Sequence, residues 1–378
     1  MANDMNERVQ LADSIDAGKR SSRSAEELAN SLDRWFEERQ GDSRRITSVS
    51  VPDSNGMSSE TVMIDTNDGA VDASLVVRIQ PSADDVPIFA SYDLELQHRI
   101  MALVAERSDV PVPEVGPLEP DPAWIGSAFF MMDKVDGRVP PDVPPYTFEG
   151  WMTELDEEAL TRLESSTVSI LARLHAIEVD EEVADILGRG SDAWRSSDGV
   201  DLLSEHVDRW RAYHRWTCGD EGVGLINAGF DWLDANRPER PGPAVISWGD
   251  SRIGNIIFGE DATPVAVLDW EMAELAPAAM DLGWLSFFHD FFQDVADVFE
   301  LPGVPGLFGP DRIGDLYRDA GGIEMEDLHW YRTYAAVRHA IIMCRVGQRA
   351  VHFGEVDEPD NQEAHIIHAG RLGDMIAG

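Results

Sequence analysis

Cysteine and lysine are both scarce in this sequence of 378 residues. Cys218 and Cys344 are its two cysteines, too few for a disulfide framework or a structural zinc site. Lys19 and Lys134 are its two lysines, so arginine supplies the other 28 (30 minus 2) of the 30 basic residues. A site that normally uses a lysine therefore has few candidates in this chain.

Positive charge and long apolar runs are also lacking. The chain has 71 acidic residues against 30 basic ones, which gives a net charge of −41 and a pI near 4.3. Nucleic-acid binders need a basic surface, and anionic membranes repel an acidic one. No apolar run approaches the roughly 20 residues of a membrane span. Because residues 1–10 are polar and unlike a signal peptide, we expect a cytoplasmic protein with no nucleic-acid or membrane partner.

The residues that are present suffice for a folded core. Hydrophobic residues make up 43% of the chain, and the length indicates two domains or one domain with two lobes. Residues 46–133 combine short β-rich runs with one helical pattern, which predicts a small antiparallel sheet with one helix. The predicted strands are Ile46–Val51, Thr61–Asp65, Ala73–Ile79 and Ser127–Met132, and the predicted helix is Ser91–Glu106.

Helical patterns dominate the rest of the chain. Residues 1–45 form a polar N-terminal extension with a helical pattern between Asp13 and Gln40. After a proline-rich stretch, residues 134–378 are mainly helical, apart from three short apolar runs. These runs are Ala244–Trp248, Ile256–Phe258 and Val265–Leu268. The predicted fold class is therefore α+β, with a β-rich lobe followed by a helical lobe that contains a small hairpin.

The segment around these apolar runs carries the residues best suited to catalysis. Asp250 follows the first run, Asn255 lies five residues later after Gly254, and Asp269 ends the third run. A hairpin of this shape would bring the three side chains to one end of the sheet. Mg²⁺ prefers such oxygen ligands, and phosphoryl transfer uses one Asp as proton acceptor with an Asn and a second Asp at the metal. The alternative is that these are ordinary turn residues.

This segment resembles the Brenner-type loop of aminoglycoside phosphotransferases and choline kinase-like enzymes. The matching residues are Gly249, Asp250, Gly254, Asn255, Ile256, Val267, Leu268, Asp269, Trp270, Glu271, Asp281 and Leu282. The resemblance implies a protein kinase-like fold of two lobes, with a small antiparallel β-sheet N-lobe (46–133) and a larger, mostly helical C-lobe (134–378). The motif is most similar to the kinase-like domains related to acyl-CoA dehydrogenase fusions and to hydroxyacyl-CoA kinases.

The resemblance also implies roles for individual residues. Asp250 matches the catalytic base, and Asn255 and Asp269 match Mg²⁺ ligands. Asp281 is expected to hydrogen-bond the backbone of the catalytic loop. The backbone expected to contact adenine, beside the hinge between the lobes, is that of Met131, Met132 and Asp133.

Two positions depart from the family pattern. Trp248 stands where the family usually has histidine, and we expect it to alter the packing under the loop rather than the chemistry. The β-strand lysine that contacts the nucleotide phosphates is missing, and Arg78 is the candidate to replace it. Its predicted partner on the following helix is Glu95, with Asp93 as the alternative. Otherwise Arg78 is a strand residue that faces solvent.

Further positions are candidate phosphate contacts or pocket residues. Ser58 and Ser59 lie in a loop of small residues that can approach phosphate, although a plain hairpin turn is the alternative. Arg252 would contact the transferred phosphoryl group or an anionic substrate, or else form a surface salt bridge. His365 and His368 have metal-like spacing on a predicted helix but lack a third ligand. Four tryptophans lie where the family builds its acceptor pocket, and the alternative is that they are core residues. They are Trp194, Trp210, Trp216 and Trp232.

Together these features predict an ATP-dependent phosphotransferase that uses Mg²⁺, with GTP as the alternative nucleotide. The partner is a hydroxylated small molecule, either aminoglycoside-like or of the hydroxyacyl/CoA type, and a CoA-type acceptor would need arginines on the helical lobe. One alternative is a non-catalytic, pseudokinase-like nucleotide-binding regulator, which the missing lysine favours. The other is a metal-dependent hydrolase that uses the same three oxygen-bearing residues.

Overall fold

The computed structural model describes residues 24–50, 60–81, 86–188, 190, 192–196 and 198–378. Its N-terminal part contains a five-stranded antiparallel sheet with the strand order β1-β2-β3-β5-β4. The elements of this lobe are α1 (Ala25–Trp35), β1 (Arg45–Ser50), β2 (Glu60–Asn67), β3 (Asp72–Ile79), α2 (Leu94–Arg107), β4 (Val115–Glu119) and β5 (Phe129–Asp133). The predicted antiparallel N-lobe is therefore confirmed.

Local chemistry explains where the boundaries differ from the prediction. Helix α2 begins at Leu94 rather than Ser91, because the side chain of Asp93 caps it by accepting the N–H of Leu96 at 2.8 Å. Strand β4 is absent from the sequence-based prediction, because Gly116 and Pro117 lower its β propensity. Proline is tolerated there because β4 is an edge strand.

The sheet has two apolar faces, and a helix covers each of them. Met132 faces α2 and the main core, whereas the adjacent Met131 faces the other way. Helix α1 covers that second face, and the indole of Trp35 donates to Glu119 Oε2 at 3.0 Å. We therefore propose that the N-lobe includes α1 and runs from residue 25 to residue 133.

The C-terminal part is mostly helical, as predicted. Two long helices, α7 and α9, pack against each other and have mostly buried side chains. None of the helices in the described ranges is both long enough and apolar enough to cross a membrane. The helices of this lobe are α3 (Glu157–His175), α4 (Glu181–Leu187), α5 (Val200–Cys218), α6 (Gly224–Ala235), α7 (Ala279–Val298), α8 (Pro310–Asp319), α9 (Leu328–His352) and α10 (Ala369–Ala377).

The predicted hairpin is present, but it has a second sheet beside it. β7 (Ile256–Phe258) pairs with β8 (Pro264–Val267), while β6 (Ala244–Ser247) pairs with β9 (Glu274–Pro277). The sequence-based prediction lacks β9, because a four-residue strand that contains Glu and Pro gives a weak β signal. The two pairs frame the loop that follows β6 and the segment that follows β8, which positions the candidate site.

Candidate active site

One buried carboxylate fixes the loop that follows β6. Asp281, in the first turn of α7, is fully buried. Its oxygens accept the N–H groups of Trp248 and Gly249 at 2.8 and 2.9 Å, and the hydroxyl of Ser247 donates to it at 2.9 Å. The predicted contact between Asp281 and the loop backbone is therefore confirmed.

A histidine keeps this carboxylate in its charged form. His175 Nε2 lies 3.0 Å from Asp281 Oδ2, and the Tyr317 hydroxyl lies 2.8 Å from the other ring nitrogen. Burial raises the pKa of Asp281, but the hydrogen bond and charge of His175 and the loop N–H groups outweigh burial. The pKa of Asp281 therefore lies below its ordinary value, and the anchor stays ionised at neutral pH.

Gly249 is required by the turn of this loop. Its φ angle is +86°, a region that residues with a side chain rarely adopt. A Cβ at this position would lie 2.1 Å from the carbonyl oxygen of Met272. The backbone of the loop can therefore approach the segment after β8 only with glycine here.

Both oxygens of the Asp250 carboxylate are held in place. Oδ1 accepts the indole N–H of Trp284 at 2.7 Å. Oδ2 accepts a hydrogen bond from Nδ2 of Asn255 at 2.7 Å and another from Nε of Arg252 at 3.2 Å. Three donors therefore orient the carboxylate, and the side chain is 17% exposed.

Asn255 and Asp269 both line the cavity between the lobes. Since Nδ2 of Asn255 donates to Asp250, its oxygen is the atom left for a ligand. Asp269 has a φ of +58°, a strained conformation for a residue other than glycine, and strain of this kind is common at functional sites. The structure thus brings the three oxygen-bearing residues together as expected.

Trp248 joins the loop to the segment that carries Asp269. The indole is almost fully buried, and its N–H donates to the carbonyl oxygens of Leu268 and Asp269 at 2.9 and 3.1 Å. The residue that replaces the usual histidine therefore makes a specific backbone contact under the loop, in addition to packing.

Arg78 is buried and points into the cavity, so it is not a solvent-facing strand residue. It donates to Thr61 Oγ1 at 3.0 Å and to Asp269 Oδ1 at 3.1 Å. The predicted pairing with Glu95 is wrong for this structure, because Glu95 is exposed in the first turn of α2. Asp93, the alternative, is the N-cap of that helix. The carboxylate partner of Arg78 is Asp269.

Arg252 forms a partly buried ion pair, in which its own side chain is 17% exposed and that of Asp142 is 40% exposed. It donates to both oxygens of Asp142 at 2.8 and 2.6 Å, in addition to its bond to Asp250. Burial by itself lowers the pKa of the guanidinium, but the charges of Asp142 and Asp250 outweigh it and the pKa of Arg252 is raised. Arg252 therefore links the proline-rich segment after the N-lobe to the proposed base.

The cavity between the lobes has a volume of about 420 Å³. Apolar side chains from both lobes form part of its wall, and Arg78, Arg252, Asn255 and Asp269 lie among its polar residues. The apolar residues include Val76, Met101, Met132, Ile257 and Leu268. A flat apolar group with an attached anion would fit this combination of walls.

The predicted hinge lies beside this cavity. Met132 and Asp133 line it, whereas the side chain of Met131 packs on the opposite face of the sheet. The N–H groups of Asp133 and Lys134 already donate to Glu114 O and Ser74 O. Ser58 and Ser59, the other predicted phosphate contacts, lie outside the described residues.

A second groove, with a volume of about 420 Å³, lies beside the segment that follows Asp269. Trp210, Trp216 and Tyr213 of α5 form one wall, and Trp216 is 46% exposed. Trp194 lines a neighbouring groove that shares Arg209 and Glu274 with this one, and Trp232 packs on His329. The residues that line the larger groove are Phe89, Ala90, Ser91, Tyr92, Asp93, Arg209, Trp210, Ala212, Tyr213, Trp216, Glu271, Met272 and Glu274.

The histidine pair near the C-terminus has a structural place. His365 lies in a 3₁₀ turn and His368 directly precedes α10, so the predicted common helix is wrong. His368 is buried, and its Nε2 lies 2.9 Å from Ala336 O. In the described ranges, no group of three or more His, Cys, Asp or Glu residues is placed to hold a metal ion.

Sequence reasoning missed three residues that support the site. Trp284 holds Asp250, Asp142 holds Arg252, and Arg338 stacks on Trp284. The positions of Trp284 and Arg338 on long buried helices are typical of core residues, so no local pattern identifies them.

The chain is similar to proteins of known sequence and structure. It is 27% identical over 315 residues to "Probable acyl-CoA dehydrogenase IBR3" of Arabidopsis thaliana, covering 78% of this chain and 35% of the plant protein. The chain thus spans about a third of the length of that relative. The macrolide 2'-phosphotransferase MphH from Brachybacterium faecium is 19% identical with a TM-score of 0.52, covering 88% of this chain and 96% of MphH.

A solved complex with GDP and kanamycin also shares the fold. The GDP and kanamycin complex of APH(2")-IIia is 14% identical with a TM-score of 0.56, covering 92% of this chain and 99% of that one. The two-lobe, kinase-like fold is therefore confirmed. The sequence profile of the phosphotransferase enzyme family matches residues 50–312, more than half of the chain. The chain belongs to the phosphotransferase enzyme family.

Proposed function

We propose that this protein transfers the γ-phosphoryl group of ATP, or alternatively GTP, to a hydroxyl group of a small molecule. One observation carries the proposal. Asn255, Asp269 and Arg78 line the cavity between the lobes. Asn255 donates to the Asp250 carboxylate at 2.7 Å, and Arg78 donates to Asp269 at 3.1 Å. Phosphoryl transfer requires this combination of a proton acceptor, oxygen ligands and a phosphate-binding cation.

In this proposal Asp250 is the general base. The acceptor oxygen forms a bond to the γ-phosphorus, the bond to the β,γ-bridging oxygen breaks, and the hydroxyl proton passes to the Asp250 carboxylate. The nucleoside diphosphate leaves with the electron pair. Trp284 and Asn255 hold the two carboxylate oxygens, which fixes the direction in which the base faces.

Asn255 and Asp269 suit a magnesium ion. Asn255 offers its side-chain oxygen, and Asp269 uses Oδ1 for Arg78, so Oδ2 is the oxygen available to a cation. These hard oxygen ligands match the preference of Mg²⁺, which fills its remaining positions with phosphate and water. When bound, the ion would neutralise charge on the nucleotide phosphates. Arg78 would donate to the same phosphates from the N-lobe.

The second groove is the proposed site of the acceptor. It lies next to Glu271 and Met272, which follow Asp269 closely in sequence. Its aromatic walls suit either the ring of an aminoglycoside-like sugar or the apolar chain of a hydroxyacyl acceptor. Arg209 lines the groove and is bound by Glu274, so a CoA-type acceptor would have to share this cation.

The test combines nucleotide binding with turnover. Calorimetry with Mg·ATP and Mg·GTP measures binding, and release of the diphosphate is followed with aminoglycosides, macrolides, choline-like alcohols and hydroxyacyl-CoAs. Asp250→Asn is expected to lower kcat at least about 10³-fold and to leave the nucleotide Kd within about threefold, because it removes a proton acceptor rather than a phosphate contact. The control is Asp315→Asn, an exposed aspartate of α8.

Each alternative function predicts a different result. Binding without turnover on any acceptor would favour the non-catalytic regulator. Phosphate release that no acceptor accelerates would favour the metal-dependent hydrolase. Absence of nucleotide binding in the unmodified protein would exclude the proposal.

A further inference from the structure

Arg338 is a buried arginine, and two of its nitrogens find no hydrogen-bond partner among the described residues. It lies on α9 and is only 2% exposed. Its Nε and Nη2 find no hydrogen-bond partner in the part of the chain that the structure describes. Because arginine is rarely buried unless it is paired, and because its guanidinium stays protonated, this position calls for an explanation.

Two indole rings lie next to the guanidinium of Arg338. The Arg338 Cζ atom lies 4.6 Å from the ring centroid of Trp210 and 4.4 Å from that of Trp284. Cation–π contacts of this kind are strongest where water is excluded. Arg338 thus joins an indole on α5 to an indole on α7.

The two indoles lie at functionally different places. Trp284 donates its N–H to Asp250 Oδ1 at 2.7 Å, whereas Trp210 lines the groove proposed for the acceptor. One continuous stack therefore runs from the wall of that groove to the proposed catalytic base. Trp284 is 1% exposed and Trp210 is 9% exposed, so neither ring can turn freely.

Nearby carboxylates also explain why a positively charged side chain is present at this buried position. The carboxylates of Glu274, Asp281 and Asp250 all interact electrostatically with Arg338. Burial lowers the pKa of Arg338 and these negative charges oppose that shift. A neutral side chain of similar length would keep the packing but would remove both this compensation and the cation–π contacts.

We propose that Arg338 is a positioning residue for phosphoryl transfer: it holds Trp284 in the orientation that fixes Asp250 and keeps Trp210 of the acceptor groove in register with it. This inference rests on the proposed function. A displacement of a catalytic group by about 1 Å can cost about 10²-fold in rate. Loss of the contacts between Arg338 and the two indoles should therefore lower kcat. It should not weaken nucleotide binding, because Arg338 does not line the cavity between the lobes.

The test compares Arg338→Met, which keeps the length and loses the charge, with Arg338→Lys, which keeps the charge. Turnover is measured with the acceptor found by the screen or, without one, as Mg·ATP hydrolysis. Arg338→Met is expected to lower kcat about 10- to 100-fold and to leave the KM for Mg·ATP within about twofold of its original value. Arg338→Lys is expected to have a kcat at least about fivefold higher than that of Arg338→Met. Arg318→Met, an exposed arginine of α8, is the control and is expected to be unchanged.

Two results would overturn the role of Arg338. One is an Arg338→Met protein that folds and has the kcat of the unmodified protein. The other is equal activity of the Met and Lys variants, which would indicate packing alone. If Arg338→Met does not fold, Trp284→Phe keeps the aromatic ring and removes the N–H donor, and a kcat equal to that of the unmodified protein would overturn the proposal.

Failure of this inference can be told apart from failure of the proposed function. If the unmodified protein binds Mg·ATP and turns over while Arg338→Met is fully active, only the role of Arg338 is excluded. If the unmodified protein binds neither Mg·ATP nor Mg·GTP, both proposals fall.

Discussion

Arg78 and Asp269 form an ion pair across the cavity between the two lobes, with 3.1 Å between Nη2 and Oδ1. Their side chains are only 9% and 13% exposed, so little solvent screens the pair. Arg78 belongs to β3 of the N-lobe, and Asp269 follows β8 of the C-lobe. One contact therefore links the proposed phosphate-binding cation directly to a proposed metal ligand.

Replacement of Arg78 should weaken nucleotide binding. Arg78→Ala is expected to raise the Kd for Mg·ATP about 10- to 100-fold, because hydrogen bonds to charged groups are worth about 1.5 to 3 kcal/mol. Arg78→Lys should lose less, since it keeps the charge but not the two-pronged geometry. Titration calorimetry measures the Kd of both variants. The control is Arg45→Ala, at an exposed arginine of β1. An unchanged Kd for Arg78→Ala would mean that β3 does not supply the phosphate contact.

The indole N–H of Trp248 should matter more than its ring. Trp248→Phe leaves the carbonyl groups of Leu268 and Asp269 without this donor, which should cost about 1 to 3 kcal/mol of unfolding free energy and also lower kcat. Trp248→His, which keeps a ring N–H, should retain more activity than Trp248→Phe. Urea unfolding and initial rates check this, with Trp232→Phe as the control. Equal rates for the Phe and His variants would contradict the role of the N–H group.

Gly249 should tolerate no side chain. Gly249→Ala places a Cβ 2.1 Å from Met272 O at a φ of +86°, so we expect a loss of at least about 2 kcal/mol of stability. Gly224→Ala is the matched control, because a Cβ there meets nothing within 4 Å at the first residue of α6. Denaturant unfolding of both variants is the measurement. Equal stability of the two variants would show that the loop can move away from Met272.

Stability should fall as the pH is lowered below neutrality. Burial lowers the pKa of His289 and of His368 to about 4, whereas an unfolded histidine has a pKa near 6.5. Between pH 6.5 and pH 4 the unfolded chain therefore binds more protons than the folded one. Each histidine then removes up to about 1.4 kcal/mol of unfolding free energy per pH unit, and its contribution is fully present only above pH 6.5.

Urea unfolding at pH 7.5, 6 and 5 measures this dependence. His289→Gln should flatten the profile, since it removes one of the titrating groups. His352→Gln, at an exposed position, is the control. A free energy of unfolding that stays constant from pH 7.5 to pH 5 would contradict the expectation.

Local sequence patterns predicted that the loop residues lie close together, and they predicted most of the strands. Asp250, Asn255 and Asp269 lie within twenty residues of one another, between apolar runs that form strands, so spacing alone indicates that they converge. The strands of the hairpin were predicted closely, because apolar runs and turn residues are local signals. The strands missed, β4 and β9, are short and contain proline, which weakens such signals.

The sequence by itself determined the family motif, the missing lysine and Arg78 as its candidate replacement. Only the tertiary structure decided that Arg78 pairs with Asp269, 191 residues away, instead of Glu95 on the adjacent helix. It likewise decided that Trp284 holds Asp250 and that Arg338 stacks on Trp284. The physical reason is the same in each case. A contact between two side chains forms only where the packed helices and strands bring them within about 3 to 5 Å of each other. Local propensity does not predict that distance for residues far apart in the sequence.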